Sequence, residues 1–233
     1  MKVRLKFSKH GPVKYIGHLD IMRYFQKCMR RSGVDIAYST GFSPHQIMSF
    51  AQPLGVGMES DGEYMDIEVN SHAGSKDMID RLNATMATGI RIENAVALPD
   101  GVKNAMASIA AASYTVTLKD GSNFPDQVVK KSEEFFRKKQ IMVTKETKKN
   151  TLEIDLKPHI YEAKLEPEIF TCLVDASSAG NIKSTQILEA LYEYASVPYK
   201  QLDLQVTRID TFTNIGNDKK RKLVPLDALG EDF

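Results

Sequence analysis

The sequence predicts an α+β protein built from two tandem ferredoxin-like domains, each with the element order βαββαβ. Segments that alternate polar and apolar residues, typical of half-buried strands, occur in both halves of the chain. Segments with apolar residues at helical spacing fall between them, giving the order strand, helix, strand, strand, helix, strand in the first half and a similar order in the second. The length of 233 residues fits two domains of common size.

The first ferredoxin-like domain is expected over residues 1–99. Val3 to Phe7 alternates as a strand. His18 to Ser32 has the apolar stripe of a helix, with Leu19 and Met22 on it, and Gly33 is a stop signal. The remaining predicted elements are short strand-like residues at Gln46 to Phe50, a strand at Glu63 to Asn70, a helix at Ser75 to Met86 and a strand at Ile90 to Ala97.

The second domain is expected over residues 113–212, and a basic tail over 213–233. The tail contains Lys219 to Lys222, four consecutive cations that are typical of a solvated end. The predicted strands are Ser113 to Leu118, Ile141 to Thr147, Thr151 to Leu156, Glu168 to Ala176 and Leu202 to Asp210, and the helices are Asp126 to Lys139 and Thr185 to Tyr194.

The composition is that of an ordinary globular protein, with 42% hydrophobic and 26% charged residues. Cys28 and Cys172 are too few for a disulfide framework or a four-thiolate metal site, which fits a reducing compartment. The N-terminus has no apolar signal segment, and no run of about 18 apolar residues occurs anywhere. We therefore expect a cytoplasmic protein with no membrane partner.

Charge is distributed unevenly along the chain, although the net charge is only +1. Residues 1–50 hold nine Lys and Arg against two acids, whereas residues 51–100 hold three against nine. Four of the early cations share one face of the first helix: Arg23, Lys27, Arg30 and Arg31. This face is suited to an anionic partner, but a solvated face, or pairing with the acidic segment, would explain it equally.

Histidines in the basic segment are candidates for chemistry. His18 begins the first helix, two residues before Asp20, and His45 lies in a loop rich in glycine and proline, with His10 a weaker candidate. Three uses stay open: binding or structural histidines, a general acid and base for metal-free RNA cleavage, or divalent metal ligands. No dedicated ligand spacing supports the last, so we assign no metal.

Aromatic residues interleave with the glycines and prolines of the same loop. Rings beside cations are surfaces on which single-stranded RNA stacks. Packing in a core is the commoner use, and we expect it for Tyr38 and Phe50, which leaves Phe42 as the exposed ring. Phosphate-binding, dinucleotide-binding and nucleophile-elbow motifs are absent, as is a cysteine cluster for an iron–sulfur centre. We therefore expect no cofactor, and the sequence leans away from an enzyme.

The first third of the chain resembles a known family. The residues that carry the resemblance are KYIGHLD, the helix ending RRSG, and YSTGFSPHQIMSFAQPLGVGMESDGEYMDIE, and the similarity is strongest over Arg4 to Glu68. They are similar to the radical-SAM-linked family, a domain of unknown function found alone or joined to the C-terminus of cobalamin-binding radical SAM proteins. Gly17, Thr40 and Gln46 depart from the family's commoner residues. The residues that match its pattern are His18, Asp20, Gly41, Phe42, Pro44, His45 and Glu63.

The resemblance implies a radical SAM protein as partner and a role in RNA modification or maturation. We expect an accessory protein that binds RNA or presents a substrate. The alternatives are a small metal-independent ribonuclease or transferase that uses His18 and His45, or a module that only docks a radical SAM enzyme. The candidate anion-binding or RNA-binding residues are Arg23, Lys27, Arg30, Arg31, Gly41, Phe42, Pro44, His45 and Glu63.

Overall fold

The structure, a computed structural model, describes residues 1–146, 151–178, 180–217 and 220–233. It confirms a mixed α+β protein with mostly antiparallel strands, and its described residues form five α-helices. The chain forms two compact units. The first is discontinuous, comprising Met1–Ala110 and Arg208–Phe233, and the second is Ala111–Thr207. The C-terminal segment that we expected to form a separate tail therefore belongs to the first unit.

The elements follow one another as strands and helices in both units. The helices are α1 (His18–Ser32), α2 (Ser75–Asn83), α3 (Ala105–Ser108), α4 (Asp126–Phe136) and α5 (Ser184–Tyr194). The strands are β1 (Lys2–Lys9), β2 (Met48–Phe50), β3 (Glu59–Glu68), β4 (Ile90–Ala97), β5 (Ala111–Leu118), β6 (Met142–Glu146), β7 (Thr151–Asp155), β8 (Ile160–Leu165), β9 (Phe170–Asp175), β10 (Leu204–Asn214) and β11 (Leu223–Pro225).

The sheet of the first unit is arranged around β1. This strand pairs antiparallel with β3 on one side and with β4 on the other. Along its other edge β3 pairs with β2 and with β10, and β11 pairs antiparallel with β10. Gly62 in β3 sits against β10, where a Cβ atom would lie 2.7 Å from the carbonyl oxygen of Ile209. Glycine is therefore required at this crossing.

Three aromatic rings hold α1 against the sheet. Phe25 of α1 lies 4.8 Å from Phe7 and 5.5 Å from Phe50 between ring centroids. The helix occupies the residues we predicted, His18–Ser32, but its buried stripe differs. Ile21 is buried where we expected Leu19, and Leu19 is exposed. The apolar spacing predicted the bounds of the helix correctly. Its orientation differs from the predicted one, because Ile21 and not Leu19 faces the sheet.

A buried ion pair joins β3 to β10 within the first unit. Glu63 and Arg208 are both almost fully buried. The Arg208 Nη1 atom donates to Glu63 Oε1 at 2.9 Å and to Oε2 at 3.0 Å, and Ser60 Oγ donates to Oε1 at 2.7 Å. Ser60 Oγ also lies 3.1 Å from the Arg208 carbonyl oxygen, an alternative acceptor for its single proton. These contacts satisfy a carboxylate that burial would otherwise disfavour.

A second buried arginine fastens the C-terminal segment to the same unit. Arg4 in β1 has no exposed surface and forms a two-point contact with Asp66 of β3, at 2.8 and 3.0 Å. It also donates to the carbonyl oxygens of Leu226 and Lys103, each at 3.1 Å. One side chain thus ties two strands to two connecting segments. Of the predicted cationic run, Lys219 lies outside the described residues.

The second unit differs from the prediction in its middle. β9 pairs antiparallel with β5 and β8. The predicted strands Ile141 to Thr147 and Thr151 to Leu156 correspond to β6 and β7, which form a separate two-stranded sheet, and Thr147 lies outside the described residues. The strand that pairs with β9 is instead β8, which we did not predict. Among its six residues only Leu165 is buried, so its alternation is weak.

None of the helices in the described part of the chain has both the length and the apolar composition needed to cross a bilayer. Both cysteines are buried as free thiols. Cys172 lies in the second unit, where burial raises the pKa of its thiol to about 12.

Replacing Arg208 with methionine is expected to lower the free energy of unfolding by about 3–5 kcal/mol, because Glu63 would stay buried without its cation. Urea unfolding of the full chain measures this loss. Arg91→Met is the matched control, since Arg91 is exposed and its ion pair with Glu93 spans 3.6 Å. That control should cost no more than about 1 kcal/mol. Equal losses for the two variants would contradict a stabilising role for the buried pair.

Candidate functional site

The segment that carries the strongest resemblance forms a closed loop at the edge of the first unit. Tyr38 and Gln46 face each other as an isolated antiparallel bridge, and the residues between them, Ser39 to His45, form what we call the Phe42 loop. The loop base is held to β3, where the Ala37 amide donates to the Glu68 carbonyl oxygen at 2.7 Å.

Hydrogen bonds across its base stiffen the Phe42 loop. The Ser39 amide donates to the His45 carbonyl oxygen at 2.8 Å, and the His45 amide donates to Ser39 Oγ at 3.1 Å. Ser39 Oγ also lies 2.8 Å from Nδ1 of the His45 ring. Gly41 has a φ of 108°, a backbone conformation that residues other than glycine rarely adopt. The base of the loop is therefore closed by its own residues.

The aromatic rings of this region divide between surface and core. Phe42 is fully exposed, as we predicted, and Phe50 is buried, also as predicted. The prediction for Tyr38 is wrong, because 48% of its surface is exposed and its hydroxyl accepts a hydrogen bond of 3.4 Å from the Gln46 side chain. Tyr38 lies in the bridge that closes the base of the loop, at the protein surface. The apolar character of its ring therefore did not determine whether the residue is buried.

A cavity of about 220 Å³ opens beside His45. Its walls come from the residues after the Phe42 loop, from β3 and from the segment after β4. Both apolar and polar residues line it, and Gln46 is the most buried of the polar ones. The lining residues are Lys2, His45, Gln46, Ile47, Met48, Ser49, Asp66, Ile67, Glu68, Leu98, Val102 and Asn104.

A second, much smaller cavity of about 20 Å³ lies under the start of α1. It is large enough for about one water molecule. His18 lines it and packs edge-on against Phe50, with 5.5 Å between ring centroids. Lys9, Glu63 and Gln52 contribute the other polar groups of its wall.

Buried charges at the small cavity serve the fold. Lys9 is almost fully buried, and its Nζ atom donates to the Ile16 carbonyl oxygen at 2.8 Å, which holds the turn before α1. Burial lowers the pKa of Lys9, and the nearby Glu63 carboxylate partly opposes this. Burial likewise raises the pKa of Glu63, against the opposing effects of Arg208 and Ser60. Glu63 is therefore an interior residue whose carboxylate is bonded to Ser60 and Arg208.

The histidines of the basic segment are separated. His18 lines the small cavity and His45 the larger one. Asp20 is exposed and lies 3.4 Å from Arg23, and His10 pairs with Asp61 at 2.8 Å. Within the described residues no group of three or more His, Cys, Asp or Glu side chains could hold a metal ion. The metal-ligand alternative for His18, Asp20 and His45 therefore finds no support.

The basic face of α1 is open to solvent. Arg23, Lys27, Arg30 and Arg31 are all exposed. Arg31 donates to the Thr85 carbonyl oxygen at 3.1 Å, and Arg23 has the contact with Asp20. Neither Lys27 nor Arg30 has a side-chain hydrogen bond or ion pair with any described residue.

Ion pairs with acidic residues are more frequent among the Lys and Arg residues that precede α1 than among those on α1. Three cations in and near β1 pair with acids of the first unit: Arg4 with Asp66, Lys6 with Asp210 and Lys14 with Glu59. The alternative that the basic and acidic segments pair therefore holds for Arg4 and Lys14. It does not hold for Lys27 and Arg30.

Two polar residues of the site were missed by reasoning from sequence. Gln46 is buried and lines the larger cavity, and Lys9 is buried beneath α1. Lys9 sits at a strand end in alternation with Phe7, which is a signal for an inward side chain. Gln46 alternates with Met48 and Phe50 in the predicted strand-like stretch, which is a similar signal, but the glycines and prolines around it indicated a loop.

The separation of the histidines generates a test of the ribonuclease alternative. A general acid and a general base must both come within about 2.6–3.2 Å of the reacting atoms. We therefore expect that labelled single-stranded RNA incubated with the chain alone stays intact on a denaturing gel. Cleavage by the unmodified chain that disappears in both His18→Ala and His45→Ala would overturn this expectation.

Comparison with known proteins identifies the family. A family model described as "Uncharacterized protein conserved in bacteria (DUF2344)" matches residues 2–184, which include the Phe42 loop, α1 and every lining residue of both cavities. No curated protein matches the sequence. Since the family match covers well over half of the chain, the protein belongs to this family of uncharacterized conserved bacterial proteins.

Proposed function

We propose that the protein is a non-catalytic accessory protein that binds single-stranded RNA with the Phe42 loop and the basic face of α1. The observation that carries this proposal is the Phe42 ring, which is fully exposed on a loop held in shape by the Ser39 and His45 contacts. An exposed aromatic ring on a closed loop is a stacking platform for an unpaired base.

An exposed phenylalanine forgoes the stabilisation that burial would provide, roughly 1.5–3 kcal/mol for a side chain of this size. The neighbouring Phe50 ring, by contrast, packs in the core. Stacking of one base on an aromatic ring contributes about 1–3 kcal/mol to binding, whatever the base. Stacking on a base would bury the Phe42 ring, which is exposed in the free protein.

Phosphate contacts supply the second part of the proposal. Lys27 and Arg30 project from one face of a 15-residue helix and carry charges that no described acid neutralises. Cations fixed on a rigid helix attract the RNA backbone without reading its sequence. Together with an aromatic platform, they are what sequence-tolerant single-strand binding requires.

The partner in this proposal is a radical SAM protein. The resemblance over Arg4 to Glu68 supports that partner. In this role the chain would hold an RNA segment for the enzyme, which brings its own cofactor. A module that only docks the enzyme would bind it without RNA and would not need the Phe42 ring.

We also propose that each unit has the ferredoxin-like arrangement. In the first unit, β1, α1, β2, β3, α2 and β4 follow in that order, with β1 between β3 and β4 and with β2 beside β3. In the second unit, β5, α4, β8, β9 and α5 follow the same order, and the β6–β7 hairpin is an insertion between α4 and β8. These orders support the arrangement.

Phe42→Ala is expected to weaken binding of a single-stranded oligonucleotide by about 5- to 150-fold, because one stacking contact of about 1–3 kcal/mol is lost. Fluorescence anisotropy at low salt measures the change in Kd. Phe42→Tyr keeps a stacking ring and should bind normally. Leu202→Ala, which removes another exposed apolar side chain in the second unit, should also bind normally. The proposal fails if Phe42→Ala and Leu202→Ala bind equally, or if no RNA binds at low salt.

Lys27→Glu combined with Arg30→Glu is expected to reduce the salt dependence of RNA binding. If both cations contact phosphates, the slope of log K against log salt should fall in magnitude by about 1.4, given about 0.7 for each contact with a single strand. The control is Lys130→Glu with Lys139→Glu, which changes the net charge equally on exposed residues of the second unit. Equal slopes for the two double variants would count against a phosphate site on α1.

A further inference from the structure

Strand β8 forms an open sheet edge in the second unit. It pairs with β9 on one side, and no other strand of the described residues pairs with it on the other side. The turn that joins β8 to β9 shows which backbone groups face the open side. The Glu166 amide donates to the Ile169 carbonyl oxygen at 2.9 Å, and the Ile169 amide donates back to the Glu166 carbonyl oxygen at 3.3 Å. These two residues therefore form a hydrogen-bonded pair at the start of the ladder.

Hydrogen-bonded and non-hydrogen-bonded pairs alternate along an antiparallel ladder. The register between β8 and β9 is unbroken from Leu165 back to Glu162. Glu162 and Lys164 therefore direct their amide and carbonyl groups towards β9, whereas Ala163 and Leu165 direct theirs towards the open side. On that side neither Ala163 nor Leu165 has a backbone partner among the residues that the structure describes. Such an edge offers both donors and acceptors to another strand.

The side chains of β8 carry opposite charges on one face of the strand. Glu162 and Lys164 are exposed and two residues apart, so both project from the same face. The Glu162 carboxylate has no hydrogen bond or ion pair with a described residue. Lys164 contacts Glu166 at 2.5 Å, but 70% of its side chain is exposed. Since an ammonium has three donors, Lys164 can bond a second carboxylate.

This pair of charges is complementary to a second copy of the same strand. Two identical strands that pair antiparallel, with the same face of each sheet on one side, are related by a two-fold axis through one residue. With the axis at Ala163, Glu162 of each copy lies opposite Lys164 of the other, and two attractive pairs form. With the axis at Glu162 or at Lys164, a charged residue lies opposite its own copy. Charge therefore favours the register centred on Ala163.

The backbone groups on the open side suit the same register. Because the amide and carbonyl groups of Ala163 face that side, the two Ala163 residues can exchange hydrogen bonds across the axis. Glu162 and Lys164 then form non-hydrogen-bonded pairs, with Cα atoms about 4.5 Å apart, where opposite side chains approach most closely. Leu165 lies opposite Tyr161, the extra residue of a bulge in β8, so the ladder is short.

We propose that β8 pairs antiparallel with β8 of a second copy of this chain, centred on Ala163 and held in register by two Glu162–Lys164 ion pairs. Charged side chains on an edge strand usually discourage pairing. Here the two charges repel a copy that is out of register and attract one that is in register. The edge is six residues long, so the dimer is weak and depends on concentration. The pairing needs neither RNA nor the Phe42 loop and is separate from the proposed function.

Sedimentation velocity of the full chain without RNA, over a series of concentrations, measures this dimer. The unmodified chain should show a monomer–dimer equilibrium. Lys164→Glu places two acids opposite each other, and Glu162→Lys places two lysines opposite each other, so each should weaken dimerisation by about tenfold or more. Lys200→Glu is the matched control, because it makes the same charge change at an exposed residue of the second unit outside β8. It should leave the equilibrium unchanged.

Restored complementarity separates a lost interface from a misfolded variant. In an equimolar mixture of Lys164→Glu and Glu162→Lys, each acid lies opposite a lysine of the other variant, so heterodimers should form. The double variant with both substitutions exchanges the two charges and should dimerise like the unmodified chain.

Three results would overturn the proposal. The first is an unmodified chain that stays monomeric throughout the concentration series, which would leave the edge to a strand of another protein. The second is a pair of single variants that dimerise as well as the unmodified chain, since the dimer would then use another surface. The third is a mixture of the two single variants that stays monomeric, because the register centred on Ala163 would then be wrong.

Discussion

The position of β3 depends on two buried arginines, and the candidate site depends on β3. Arg208 holds the Glu63 carboxylate in the interior, and Arg4 holds Asp66 three residues further along the strand. The base of the Phe42 loop then bonds to the backbone of Glu68 at the end of the same strand. A loop with little apolar contact of its own is thereby oriented by charged groups that water does not reach. Such pairs favour one arrangement strongly, since a shifted strand would leave a buried charge unpaired.

Much of the first unit could be predicted from the sequence, and the reasons differ from one element to another. The bounds of α1 agree with prediction because an apolar period and a terminal glycine coincide at His18 and Gly33. The rotation of the helix could not be predicted, and Leu19 is exposed, because adjacent apolar residues leave two possible stripes. Strand β8 escaped prediction since an edge strand buries few side chains. Pairing partners such as Glu63 and Arg208 are set by long-range contacts that no local pattern encodes.

For the candidate site, the sequence predicted which segment is involved, but not which of its side chains lie close together. The exposed Phe42 ring and the open cations of α1 were expected. The convergence of His18 and His45, which a cleavage mechanism would need, is not found, because each histidine faces a different cavity. Gln46 was overlooked since polarity in a loop usually indicates solvent. Its burial follows from the bridge with Tyr38, a contact that exists only once the loop has closed.

The discontinuity of the first unit has a consequence for synthesis on the ribosome. Glu63 and Arg208 are separated by 145 residues, and Ala111–Thr207 lies between the two parts of the unit. A nascent chain therefore exposes the Glu63 carboxylate and the β10-facing side of Gly62 until the entire second unit has emerged. Because domains tend to fold from the N-terminus as they appear, the second unit would complete its core first. The first unit could complete its sheet only after β10 had emerged. The second unit would therefore fold before the first, although it follows most of the first unit in the sequence.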